Sequence, residues 1–389
     1  MKNKPEHHFK TREVHAGVRP DPVTGAILTP IYQATTYVQE SVENYLAKGY
    51  SYSRSGNPTV VALEDRITAL EGGSGTACFS TGMAATSAIM MAMLNAGEHA
   101  VLSDVVYGGT HRLATRVLSR FGVEFSFVDT SDPQNVRNAI KDNTRLIFTE
   151  TPANPTLKLT DIAAVSEIAK EHKIPHCVDN TFLTPYFQRP LELGADMTMH
   201  STTKYLDGHN VTVGGSVTTA SAEHLEQIQF VRNCLGSNMS PMVAFYTLQG
   251  CKTLSTRLEA QSAGAIKVAH FLESHPMAEK VAYPGLDSFP QSELARRQAS
   301  GFGAMLWFEV KGGVESGKKL MNTLELWSLA ENLGSVESLV THSVTMTHAD
   351  MDPADRQRVG ISDGLVRLSV GLEDPDDLIA DLRQALDGL

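Results

Sequence analysis

Between Leu63 and His200, short apolar runs alternate with helix-like stretches, and no other feature of the chain limits its fold as strongly. Residues 76–79, 99–102, 124–128, 146–149, 176–178 and 197–200 read as strands, with helices at 83–94, 109–121, 133–140 and 162–171 between them. Strands joined by helical crossovers run parallel, so the rhythm predicts an open, largely parallel sheet covered on both faces. Its ligand is expected at the carboxyl ends of the strands. Residues 1–60, rich in Pro, Gly, Tyr and Thr and weakly periodic, read as an extended arm of the kind that reaches a neighbouring subunit. Beyond about residue 255 the pattern changes to a long helix at 256–274, a strand at 304–310, a helix at 315–324, a strand at 365–370 and a final helix at 375–386. This predicts a large domain over 61–255 and a smaller α/β domain over 256–389.

Composition narrows the function. A chain of 389 residues exceeds what one core usually fills, and 42% hydrophobic residues supply enough apolar surface for two. A net charge of −11 argues against nucleic acid or an anionic membrane as partner and favours a small polar ligand. Cys78, Cys177, Cys234 and Cys251 form no C-x-x-C pair and suit a reducing compartment. No run reaches the length of a membrane span and residues 1–10 lack an apolar stretch, so a cytoplasmic protein is expected. The fourteen histidines include no H-E-x-x-H, and no metal is expected. Residues 312–319 nearly match a phosphate-binding loop, yet Lys319 stands where a metal-binding hydroxyl belongs and Glu315 lies inside the cradle.

The chemistry gathers at the predicted strand ends. Asp179 closes one strand and Lys204 follows another, 25 residues later. Pyridoxal phosphate needs such a pair: a lysine that holds it covalently, and an acid that keeps its ring nitrogen protonated so that carbanion charge can flow into the ring. Ser201 and Thr203 precede the lysine with hydroxyls of a length that suits a phosphate. Ser80, Thr81 and Gly82 end a strand and open an apolar helix, whose free N–H groups form an anion site or a plain N-cap. Tyr107 follows another strand, either to stack on the cofactor ring and accept a proton or to fill the core. Tyr52 and Arg54 sit two apart on an extended segment, a phenol and a phosphate-matching guanidinium or a surface salt bridge. Arg367 interrupts an apolar strand, where a buried cation needs a carboxylate, the substrate's or an internal one.

These segments together resemble the Cys/Met-metabolism branch of fold-type I pyridoxal phosphate enzymes, nearly end to end. They are Y-S-R-S-G-N-P-T from residue 52, S-T-G-M-A-A from 80, Y-G-G-T-H-R from 107, E-T-P-A-N-P-T from 150, V-D-N-T-F from 178, H-S-T-T-K-Y from 200, E-S-L from 337 and the stretch from Gly360 to Asp374. The resemblance implies an α/β, aspartate aminotransferase-like fold, with a mostly parallel sheet in the large domain and a smaller C-terminal α/β domain. It implies Lys204 as the cofactor lysine, Asp179 as the ring-nitrogen partner and Tyr107 as the stacking residue. Gly82, Met83, Ser201 and Thr203 would form a phosphate cup that Tyr52 and Arg54 complete from a neighbouring subunit. Arg367 would clamp the substrate carboxylate with Asn154 and Ser338, and Glu337 would meet a distal ammonium. The family is usually a homotetramer built from two active dimers. The implied reaction is γ-elimination or γ-replacement on a sulfur amino acid. Overall resemblance puts cystathionine γ-lyase chemistry ahead of cystathionine γ-synthase chemistry, and methionine γ-lyase chemistry comes after both, because Gly109 stands where methionine γ-lyases carry Cys and Glu337 where they tend to lack an acid. Ser51 and Val60 depart from the cystathionine pattern, which expects an acid and an arginine there. A protein that kept the fold only to bind the cofactor would not need the Arg367 clamp.

Overall fold

The computed structural model of the chain describes residues 7–346, 349 and 352–389. Its first sheet holds seven strands: β1 (Gly75–Phe79), β2 (His99–Ser103), β3 (Glu124–Val128), β4 (Thr144–Glu150), β5 (His176–Asp179), β6 (Met197–His200) and β7 (Gly215–Thr219). They lie in the order β1-β7-β6-β5-β4-β2-β3. β2 through β6 pair in parallel as the helical crossovers require, whereas β7 runs antiparallel between β1 and β6. All strands but β7 therefore deliver their carboxyl ends to one edge.

β7 escapes the sequence rhythm because Gly-Ser-Val-Thr-Thr contains a single large apolar side chain. It is nonetheless wholly buried, and its threonines are satisfied inside the sheet, Thr218 Oγ1 lying 2.8 Å from Thr76 Oγ1. Gly215 is needed where the strand begins, since a Cβ there would stand 2.4 Å from the Thr81 carbonyl oxygen. The stretch expected as one helix over 109–121 is a short α-helix (Gly108–Arg112), then a π turn (Leu113–Val117) and a 3-10 turn (Leu118–Phe121).

One face of this sheet packs under the helices Gly82–Met93 and Ala222–Leu235, through Phe79, Ala85, Ile89, Leu102, Phe148 and Val217. The helix Leu254–Ser274 leads into a second sheet made of β8 (Ala278–Ala282), β9 (Met305–Val310), β10 (Ser328–Leu329), β11 (Leu339–His342) and β12 (Leu365–Ser369). Their order is β10-β11-β12-β9-β8, antiparallel except for the β10–β11 pair. In the buried strand β12, Val366 and Leu368 enter the core, and Arg367 between them takes the opposite face. The near-match to a phosphate-binding loop starts a helix (Gly313–Thr323) whose lysines are already engaged: Lys318 with Glu315 at 2.9 Å and Lys319 with the Gly388 carbonyl at 2.6 Å.

Residues 17–57 contain no helix or strand; Thr36 and Tyr52 form an isolated bridge. Val23, Ile27, Val38 and Val42 in this stretch are 78–91% exposed.

Candidate active site

The carboxyl edge of the first sheet and the inner face of β12 enclose a cavity of about 560 Å³. Lys204, Asp179, Tyr107, Gly82, Met83, Ser201, Thr203, Asn154 and Arg367 all line it, although they come from segments spread over some two thirds of the chain.

Lys204 follows β6 in a turn closed by the Gly208 N–H to the Lys204 carbonyl at 2.8 Å. Burial, with the Arg367 guanidinium nearby, lowers its ammonium to about 8, so a free amine is accessible near neutral pH. Its Nζ donates to Asn332 Oδ1 at 2.5 Å. Asp179 ends β5, and its Oδ1 accepts from the Thr181 N–H at 3.0 Å and the Thr181 hydroxyl at 2.5 Å. Burial raises its carboxyl above the usual range, against the Thr181 donors and His200, which pull it down. Both Thr181 bonds address Oδ1, so Oδ2 is available to a protonated ring nitrogen. The helix Gly82–Met93 opens at the cavity; its N-cap Thr81 hydroxyl accepts from the Ala84 N–H at 2.8 Å, and the first N–H groups remain for an anion. Ser201 closes in from the opposite side, and a Cβ on Gly82 would lie 3.0 Å from its hydroxyl oxygen. The Thr203 hydroxyl is tied to the Gly214 backbone at 3.0 and 3.2 Å. Tyr107 presents a ring that is 49% exposed.

Arg367 is buried, and its partners among the described residues are neutral: Asn154 Oδ1 at 2.9 Å and the Asn332 carbonyl at 3.0 Å. Its Nε has no hydrogen-bond partner, and the Glu331 carboxylate acts on the buried guanidinium by charge without a hydrogen bond to it.

Four expected residues lie off the cavity wall. Ser338 is fully buried, with its hydroxyl donating to Glu373 Oε2 at 2.7 Å and accepting from the Gly371 N–H at 2.8 Å. Glu337 accepts from Asn210 Nδ2 at 2.8 Å. Tyr52 is exposed, and Arg54 lies over its ring and donates to Asn233 at 3.2 Å.

Other polar residues line the cavity without having been singled out from sequence, among them Arg112, Glu150, Glu331 and Asn332. Glu150 ends β4 directly beside Asp179, its register partner on β5. Its Oε2 accepts from the Tyr107 N–H at 2.7 Å and its Oε1 from the Asn154 N–H at 3.0 Å, so one carboxyl braces two wall residues. Burial and then the Asp179 charge push it up to about 8. A carboxyl raised in the folded state is protonated there while its unfolded counterpart has already ionised. Stability of the cofactor-free protein should therefore fall as pH rises from about 4.5 toward 8. The melting temperature of Glu150→Gln, followed across that window, should show a shallower decline than the parent's; parallel curves would rule out the raised carboxyl.

A near-neutral lysine, a buried carboxylate with a free oxygen and a helix N-terminus at one strand edge are the donors that pyridoxal phosphate requires, and the residues present fit it. Fold and site thus define a pyridoxal-phosphate-dependent enzyme. The family model described as Cys/Met metabolism PLP-dependent enzyme matches residues 10–387, and the chain belongs to that family. It is 47% identical to the cystathionine gamma-lyase of Bacillus subtilis (strain 168), over 98% of this chain and 99% of that protein. It is 46% identical to the L-methionine gamma-lyase of Treponema denticola, over 98% and 97% of the respective chains. The solved structure of metB from Corynebacterium glutamicum superposes with a TM-score of 0.96 at 45% identity, covering 99% of this chain and 100% of that one.

Proposed function

We propose that the protein cleaves L-cystathionine by γ-elimination to L-cysteine, 2-oxobutanoate and ammonia, consuming one water. The observation that carries this reading is that two further charged residues of opposite sign, Arg112 and Glu331, line the cavity in addition to Arg367. Arg367 suits the α-carboxylate at the reacting end of the substrate, steadied by Asn154. Cystathionine carries a second amino-acid end, whose carboxylate and ammonium match Arg112 and Glu331. Methionine ends in an uncharged thioether and would leave both groups without a partner. The distal role expected of Glu337 falls in this reading to Glu331.

Bound pyridoxal phosphate supplies the electron sink for charge left at the substrate carbon. The chain supplies the rest. Asp179 would hold the proton on the ring nitrogen, and Ser201, Gly82 and Met83 would bind the phosphate, joined by Thr203 when its hydroxyl hydrogen turns from the Gly214 carbonyl. Tyr107, on the cavity wall, would lie against the ring, and its phenol would take a proton from the incoming amino group. Lys204 Nζ, once displaced by the substrate amine, removes the proton from Cα and then moves one from Cβ, which lets the γ-thiolate leave.

The phosphate site is completed in this reading by Tyr52 and Arg54 of a second copy, since neither lines its own cavity, and the assembly is a homotetramer of two such dimers. The exposed apolar residues 23–42 support an arm that packs on a neighbour. The cysteines are all free, which suits a reducing, cytoplasmic setting.

The test is the product formed by purified, cofactor-loaded protein from L-cystathionine alone. Equal yields of cysteine and 2-oxobutanoate are expected. Silence on cystathionine, with turnover of an activated homoserine ester plus cysteine, would replace elimination by the synthase reaction; faster release of methanethiol from methionine would replace the substrate.

A further inference from the structure

Glu337 and Asn210 are left unused by the site just described, yet they are joined to its lysine. Lys204 Nζ donates to Asn332 Oδ1 at 2.5 Å, Asn332 Nδ2 donates to Asn210 Oδ1 at 2.5 Å, and Asn210 Nδ2 donates to Glu337 Oε2 at 2.8 Å. We infer that Glu337 and Asn210 are positioning residues that fix which end of the Asn332 amide faces Lys204, and so keep the lysine's lone pair free to react. The inference rests on Lys204 being the base of the proposed reaction.

The argument follows from which atoms can donate. An ionised carboxylate only accepts, so Glu337 obliges Asn210 to turn its NH₂ outward and its carbonyl oxygen inward. That oxygen in turn obliges Asn332 to present its NH₂ to Asn210 and its own carbonyl oxygen to the lysine. An amide oxygen accepts a hydrogen from the amine and leaves the nitrogen pair exposed. A reversed Asn332 would point N–H at Nζ and occupy the pair needed to take a proton or to join the cofactor. Nothing in the amide's shape prevents that reversal, because its two ends are nearly isosteric; only the chain of partners does.

The backbone around the chain is held independently. The Arg367 guanidinium binds the Asn332 carbonyl at 3.0 Å, and the Val336 N–H binds the Gly208 carbonyl at 2.9 Å. Asp207 Oδ2 accepts from the Val211 N–H at 3.0 Å, and Asn210 sits between them at φ +55°, a left-handed conformation that asparagine tolerates well. Removal of the Glu337 carboxylate therefore frees amide orientation without freeing the loop.

The test compares Glu337→Ala, Asn210→Gly (glycine accepts the positive φ) and Glu337→Gln, whose carbonyl still accepts from Asn210. In Glu337→Ala and Asn210→Gly, kcat on L-cystathionine should fall about ten-fold, with KM changed less than about two-fold. Attachment of added pyridoxal phosphate to cofactor-free protein, in which the Lys204 amine condenses with the aldehyde and releases water, should slow by a similar factor. Glu337→Gln should recover most of both rates. Parental kcat and attachment rate in both chain-breaking variants would overturn the inference and leave the Lys204 assignment intact. A rise in KM at constant kcat would overturn it too, by making Glu337 a substrate contact. Turnover by Lys204→Ala at the parental rate would overturn both the inference and the reading beneath it.

Discussion

Lys204→Ala is expected to lower turnover of any amino-acid substrate by at least about 10⁴-fold, because one nitrogen performs several jobs there. In the proposed mechanism it would hold the cofactor covalently, yield to the substrate amine, and move protons at Cα and Cβ. Its environment suits the last of these: an ammonium brought to about 8 by burial gives up its proton readily and still regains one near neutral pH. Alanine removes all of this while the phosphate donors at Gly82–Met83 and the Asp179 carboxylate stay in place. Pyridoxal phosphate should still bind, without the absorbance shift that marks attachment to the lysine. Turnover within about ten-fold of the parent would mean that another group is the base.

Arg367→Ala is expected to raise KM for amino-acid substrates by about 100-fold or more and to leave the spectrum of bound cofactor nearly unchanged. Loss of one partner from a buried, hydrogen-bonded charge pair costs about 2–5 kcal/mol, and here the partner left behind would be the substrate carboxylate. Asn154 Oδ1 and the Asn332 carbonyl would lose their donor as well, which adds to the penalty in the free enzyme. Arg367 also acts on Lys204, depressing its ammonium, so some fall in kcat should accompany the rise in KM. Loss of cofactor in place of weakened substrate binding would give Arg367 a different role.

Much of this site could be read before any coordinates, for a physical reason. Parallel strands buried on both faces must be apolar, so a polar residue just beyond such a run stands at the strand edge where ligands bind; Asp179, Tyr107 and Lys204 were picked out in that way. The same signal was present for Glu150, at the end of Leu-Ile-Phe-Thr-Glu, and went unread because its partners are backbone N–H groups that no motif records. β7 was missed because hydroxyl pairing, which periodicity does not register, satisfies its buried threonines.

The second sheet shows the limit more sharply. Glu331-Asn332 and Glu337-Ser338 lie six residues apart in one segment, and linear order says nothing about which pair looks inward. The chain bends from Gly334 onward, with φ +79° and its ideal Cβ position 2.9 Å from the Tyr205 backbone nitrogen; the first pair lies on the cavity wall before this bend and the second off it beyond.

Asn154 joins the two sheets through a single residue: its backbone N–H is held by Glu150 from β4, and its side-chain oxygen by Arg367 from β12. Any hinge motion that swung the clamp away from the cofactor floor would have to break one of these bonds first, at a cost of about 1–3 kcal/mol for the buried group left bare. The residue works as a latch. Because the same Glu150 carboxyl also accepts from the Tyr107 N–H at 2.7 Å, three hydrogen bonds run from the Arg367 guanidinium on one wall to the backbone of the aromatic residue on the other.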